Sequence, residues 1–194
     1  MSSNCNWLPE LITFNGNWSE YEDKLYAIFS QHFLNSNPYF MEKKVIPRRN
    51  PMYNGKYESY FHITCGHTKE TDERSPDLRR CERIEWPRAF IENSNCICKQ
   101  NCSDFIIWKK RYKNKYRYSL LLKSEKYIVI LEERANYFNL ISAYPLTYSH
   151  AMHDQLEYYE RAKKAENAII RWRLQNLLLP WVDELWKRNS ALNF

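Results

Sequence analysis

A chain of 194 residues with 44% hydrophobic and 16% aromatic content can pack a core, which excludes a disordered tail. It has 3 glycines and no G-x-G-x-x-G or Walker pattern, so glycine-rich nucleotide loops are excluded. The net charge of +6 leans toward a polyanionic partner without requiring one.

The opening residues, MSSNCNWLPE, have neither the basic nor the apolar region of a signal peptide. No run reaches the roughly 18 apolar residues of a membrane span. The expectation is a cytoplasmic protein without membrane contact, its six cysteines reduced. Trp7 to Phe14 is a short apolar lead, and Asn15-Gly16 is a turn signal. Ser19 fits a helix N-cap with Glu22 completing a capping box. Tyr21, Leu25, Ile28, Phe29 and Phe33 follow at helical spacing, which predicts an amphipathic helix over 19–34. Val45 to Tyr57 reads as a basic, turn-rich loop in which Arg48 and Arg49 are either phosphate contacts or exposed charges.

Glu58 to Thr64 (ESYFHIT) alternates as a strand does, which would put Tyr60, His62 and Thr64 on one face. His62 is the strongest acid–base candidate because its ordinary pKa lies near 6.5; His67 is weaker, and a structural histidine is the plainer reading of either. From Arg74 to Arg88 there are five arginines (Arg74, Arg79, Arg80, Arg83, Arg88) against three acids (Asp77, Glu82, Glu85). Leu78, Cys81 and Ile84 recur every three residues, so a helix ending near Glu85 would bury them and carry Arg79, Arg80 and Arg83 outside the stripe. Two readings stand: a donor array for phosphate, or arginines paired with the helix's own acids.

Cys96, Cys98 and Cys102 are weak metal candidates, since C-x-C-x3-C is not the usual zinc spacing; no metal or cofactor is expected. Lys109 to Arg117 (KKRYKNKYR) interleaves six cations with Tyr112 and Tyr116. Lys110, Arg111 and Lys113 are candidate RNA contacts, and a hairpin turning at Asn114 with soluble edges is the alternative. Strands over 116–122, 126–132 and 138–144 predict an antiparallel meander. Its last strand would carry Phe138, Leu140, Ser142 and Tyr144 on one face, with Arg134 closing the strand before it. Ser149 onward is helical, and the apolar tail reaching Trp186 is either packed or offered to a partner.

The runs ESYFHIT, RSPDLRRCERIEWPRAFIE and KYIVILEERANYFNLISAYPLTYSH, in that order, are similar to small phage and prophage proteins of the barnase, EndoU, colicin and RelE-like superfamily of metal-independent ribonucleases. The resemblance covers about Trp7 to Glu160. It implies an α+β fold with N-terminal helices on a four- to five-stranded antiparallel sheet and an active site on the sheet face. Residues 1–160 would form that domain and 161–194 a long C-terminal helical extension. Carried over by position, His62, Arg83, Arg134, Ser142 and Tyr144 would be catalytic, and Arg79 and Arg80 phosphate contacts. The implied activity is RNA cleavage by 2′-hydroxyl attack without a cofactor. The implied partners are RNA, an antitoxin or immunity protein that the C-terminal helix would hold, and a second copy of the chain. The competing expectation is a non-catalytic binding module for nucleic acid or protein, with His62 in the core.

Overall fold

Apolar side chains at Tyr21, Leu25, Phe29 and Phe33 give α1 (Trp18–Phe33) one buried stripe. Its cap is Asn17, whose Oδ1 accepts from the Glu20 amide, and not Ser19, which lies inside the first turn. The structure is a computed structural model, and it describes residues 7–67, 74–95 and 103–173. The chain divides into two compact units, residues 1–152 and 153–194.

After α1 come β1 (Tyr39–Phe40), β2 (Lys43–Pro47), α2 (Glu58–Thr64), β3 (Cys65–His67), β4 (Arg74–Pro76), α3 (Leu78–Cys81) and α4 (Trp86–Glu92). Four long strands follow: β5 (Phe105–Tyr112), β6 (Lys115–Leu122), β7 (Tyr127–Glu133) and β8 (Tyr137–Pro145). The helix α5 (Ser149–Arg173) is the last described element.

The sheet order is β1-β2-β8-β7-β6-β5. The meander β5 to β8 is antiparallel, as its short polar links require, but β2 runs parallel to β8. The sheet is therefore six-stranded and mixed, not an antiparallel sheet of four or five. The two extra strands come from residues 39–47, whose last three residues, from Val45, open the stretch that reads from sequence as a basic loop. A separate ribbon pairs β3 with β4.

The core lies between one face of the large sheet and the helices. Val45, Leu120, Leu122, Val129, Leu131, Phe138 and Leu140 from the sheet meet Leu25, Phe29, Tyr60, Ile63, Trp86 and Phe90 from the helices. Trp7 stands edge-on to Phe90 and Phe105, and Phe90 to Tyr127, at ring separations of 5.3 to 5.6 Å. The N-terminal lead is strapped to the turn between α3 and α4. The Ile12 amide donates to the Glu82 carbonyl, and Trp86 Nε1 donates to the Pro9 carbonyl.

Three local expectations are corrected. Residues 58–64 form a helix, not a strand. Over seven residues the pattern fits either period, and the buried set Glu58, Ser59, Tyr60, Ile63 and Thr64 follows the helical one. The arginine run is two short helices separated by a turn, with Pro87 in the first turn of α4, where its missing N–H costs nothing. Leu78, expected in the stripe, is 47% exposed, whereas Cys81 and Ile84 are buried.

The third concerns β8. Leu131 pairs with Leu140 but Ile130 pairs with Ser142, so Ile141 is an extra residue. That slip turns Ser142 and Tyr144 to the face opposite Phe138 and Leu140. The same face carries Tyr112, Lys115, Arg117, Ile130, Glu132 and Asn139, by their cross-strand pairing.

Candidate functional site

Where β2 ends, Ser59 takes over its hydrogen bonds to β8. The Ser59 hydroxyl accepts from the Arg48 amide and donates to the Leu140 carbonyl, each at 2.7 Å. One buried hydroxyl thus seats the first turn of α2 against the β8 edge. Glu58 precedes it, with its side chain only 7% exposed.

Three basic groups converge on this buried carboxylate. Arg48 Nη2 stands 3.1 Å from Glu58 Oε2. His62 Nε2, one helical turn on, stands 3.3 Å from Oε1, and Arg74 Nη2 from β4 stands 3.6 Å from the same oxygen. Burial and then the Arg74 charge lower the His62 pKa below its ordinary 6.5, against the opposing pull of Glu58. The imidazole is therefore neutral at neutral pH, with a carboxylate beside it to receive its charged form. Arg74 Nη1 is buried without a hydrogen-bond partner among the described residues, and its guanidinium lies over the exposed Tyr53 ring at 5.1 Å. Arg74 also borders a pocket of about 160 Å³ walled by Trp18, Tyr60 and Phe61.

Beside this group, the His62 backbone carbonyl accepts from Arg80 Nη1 at 3.1 Å and from Ser142 Oγ at 2.9 Å. Arg80 also lies over the Tyr144 ring at 4.9 Å and stands 3.6 Å from Asp77. Burial raises the Tyr144 pKa above the ordinary phenol value, so its hydroxyl stays protonated. The structure thus brings together His62, Arg80, Ser142 and Tyr144. Two of these, Arg80 and Ser142, grip the main chain of α2 and hold its C-terminal end.

Other predicted residues lie apart. Arg83 is committed to Glu82, to the Arg79 carbonyl at 2.9 Å and to the face of Trp86 at 4.9 Å. Arg88 ties α4 to the His32 and Ser36 carbonyls and pairs with Glu92. Of the five arginines, only Arg79 is exposed and makes no ion pair among the described residues. The run is therefore mostly a set of ties within the fold, the plainer of its two readings.

Arg134 belongs to a second group, on the sheet face away from the core. Glu132, 4% exposed, receives Arg134 at 2.8 Å, Arg117 at 3.1 Å and Lys115 at 3.3 Å. Burial pulls the Glu132 pKa up, but Arg117, Lys115 and Arg134 outweigh it and hold the carboxyl below its ordinary range. With its amide oxygen turned to Arg134, Asn139 accepts from Nε and Nη2 at 3.0 and 3.2 Å. Lys110 stands directly across from Arg117, and burial followed by that charge lowers its pKa. Arg111 is exposed and donates to the Lys113 carbonyl, while Lys113 Nζ lies 5.8 Å from the Tyr112 ring.

Sequence reasoning missed Glu58, Arg74 and Glu132 as site members. Glu58 and His62 four apart was the available signal, hidden once the segment was read as a strand. Cys96, Cys98 and Cys102 fall outside the described residues, as does the apolar tail after Arg173. Among the described residues no group of three or more His, Cys, Asp or Glu is placed to hold a metal. Cys65 and Cys81 are buried free thiols, and burial pushes Cys81 up to about 12, so it is no nucleophile. No described helix is long and apolar enough to cross a membrane.

No family model, curated protein or solved structure was found to match the chain.

Proposed function

We propose that the chain is a metal-independent endoribonuclease whose acid–base centre is the Glu58–His62 pair flanked by Arg48 and Arg74. The observation that carries this reading is the buried carboxylate drawing a histidine of its own helix, an arginine of β4 and an arginine just past β2. Perturbed titratable groups beside cations are what phosphoryl transfer needs.

In this scheme neutral His62 removes the proton of an RNA 2′-hydroxyl, and Glu58 stabilises the imidazolium that forms. The 2′ oxygen bonds to phosphorus, the bond from phosphorus to the 5′ oxygen breaks, and the departing oxygen takes a proton from solvent. Arg48 and Arg74 hold the non-bridging oxygens as negative charge grows there. The products are a 2′,3′-cyclic phosphate and a free 5′-hydroxyl. DNA lacks the attacking hydroxyl and is not cut. Kinship with barnase- and RelE-like ribonucleases agrees with an α+β build and helices on one sheet face, while the parallel β2–β8 pair departs from the expected sheet. A ribonuclease acting inside its own host would need a protective antitoxin or immunity partner.

The second reading is a nucleic-acid-binding module in which the Glu58 group is a structural ion-pair network. The exposed Tyr112 and Tyr116, with Arg117 and Lys109 beside their rings, favour it. Single-turnover cleavage separates the two. On the enzyme reading, His62→Ala lowers the rate at least about 100-fold, and Arg74→Gln lowers it with the melting temperature little changed. Wild-type protein that binds RNA without cutting it supports the module instead.

A further inference from the structure

We infer that the far end of the β5–β6 hairpin is a docking site for single-stranded RNA, with a phosphate subsite on its Glu132 face. This deepens the ribonuclease reading and rests on it only for the choice of RNA over DNA.

The charge balance comes first. Lys115, Arg117 and Arg134 surround one carboxylate, leaving two positive charges in excess around Glu132. Lys110 lies directly across from Arg117 and adds a further positive charge to this face. Glu132 is nearly fully buried and cannot turn outward, so it holds the guanidinium groups in place while surplus donors remain for a phosphate oxygen.

The stacking surface comes second. Tyr112 and Tyr116 are 41% and 48% exposed, one on each face of the hairpin tip. The Arg117 guanidinium lies 3.7 Å from the Tyr112 ring centre, and Lys109 Nζ lies 4.3 Å from that of Tyr116. Each exposed ring therefore has a cation fixed against it. An aromatic ring paired with a cation accepts any base face, but only a base already out of a helix. A duplex would satisfy the charge and leave the rings unused, so the arrangement selects single strands.

The test measures binding of a labelled uridine-rich strand of about 12 nucleotides, beside its duplex and its DNA counterpart. The full chain carries His62→Ala so that the probe stays intact. Tyr112→Ala and Tyr116→Ala are each expected to weaken single-strand binding about 5- to 150-fold and to leave duplex binding nearly unchanged. Lys115→Gln is expected to reduce the salt slope by about 0.7, with thermal melts confirming that each variant is folded. Equal affinity for strand and duplex, or variants that bind like the parent, would overturn the inference. So would absence of binding. The two proposals fail separately: binding through the hairpin without cutting removes only the enzyme, and cutting with hairpin variants of unchanged KM removes only the docking site.

Discussion

Ser59 shows how much one hydroxyl can position. It is fully buried, accepts from Arg48 and donates to Leu140, and so joins the end of β2 to β8 while seating Glu58. Ser59→Ala leaves a buried donor and a buried acceptor unmatched and is expected to cost about 2 kcal/mol or more. Denaturant unfolding measures it. His62 carries the pH dependence. Its folded pKa lies below its unfolded value near 6.5, so at acidic pH the unfolded chain binds a proton that the folded chain resists. Stability is complete above about 6.5 and falls as pH drops through the lowered folded value. Melting curves of wild type and His62→Ala between neutral and mildly acidic pH are expected to diverge on the acid side. With His62 as the base of the proposed ribonuclease, kcat/KM is expected to rise through an apparent pKa below 6.5 and to level off by neutral pH. Glu132 acts in the same direction, at lower pH. Its carboxylate contributes stability above the ordinary carboxylate range and loses it as pH falls through its lowered value.

At the scale of elements, the legible parts were those with long, one-period patterns. The stripe Tyr21, Leu25, Phe29, Phe33 marked α1, and alternation with short links marked β6, β7 and β8 to within a residue or so. Short elements were less readable for a physical reason. Seven residues of ESYFHIT alternate like a strand, yet what decides their state is tertiary: Tyr60 and Ile63 fill the core and Ser59 caps the β8 edge. The bulge at Ile141 left no mark in composition, since it arises from pairing with β7, and it moved Ser142 and Tyr144 to the other face. Removing Ile141 should restore simple alternation and break the Ser142 bond to the His62 carbonyl. The expected result is a marked loss of stability, together with loss of RNA cutting that Ser142→Ala only partly reproduces. Equal stability with and without Ile141 would show that the bulge positions nothing.

At the scale of the molecule, α1, α2 and α4 occupy one sheet face while the charged groups gather beside β8 and at the far end of β5–β7. The candidate site is partly legible: His62 and Arg134 stand out by residue type, and each lies beside a buried acid, Glu58 and Glu132, that the sequence does not single out. Arginine is conspicuous in a sequence, whereas the buried acid that organises it is revealed only when strands and helices meet. Under the proposed function, chemistry at Glu58–His62 is separate from strand capture at the hairpin, so variants in the two regions are expected to act on rate and on binding respectively.

The measurement that bears most directly on the central claim is digestion of total RNA by the purified full chain in EDTA, beside His62→Ala, with analysis of the fragment ends. The account predicts cutting by wild type alone, leaving 2′,3′-cyclic phosphate and 5′-hydroxyl ends. Intact RNA in both reactions, or equal cutting by the variant, would contradict it.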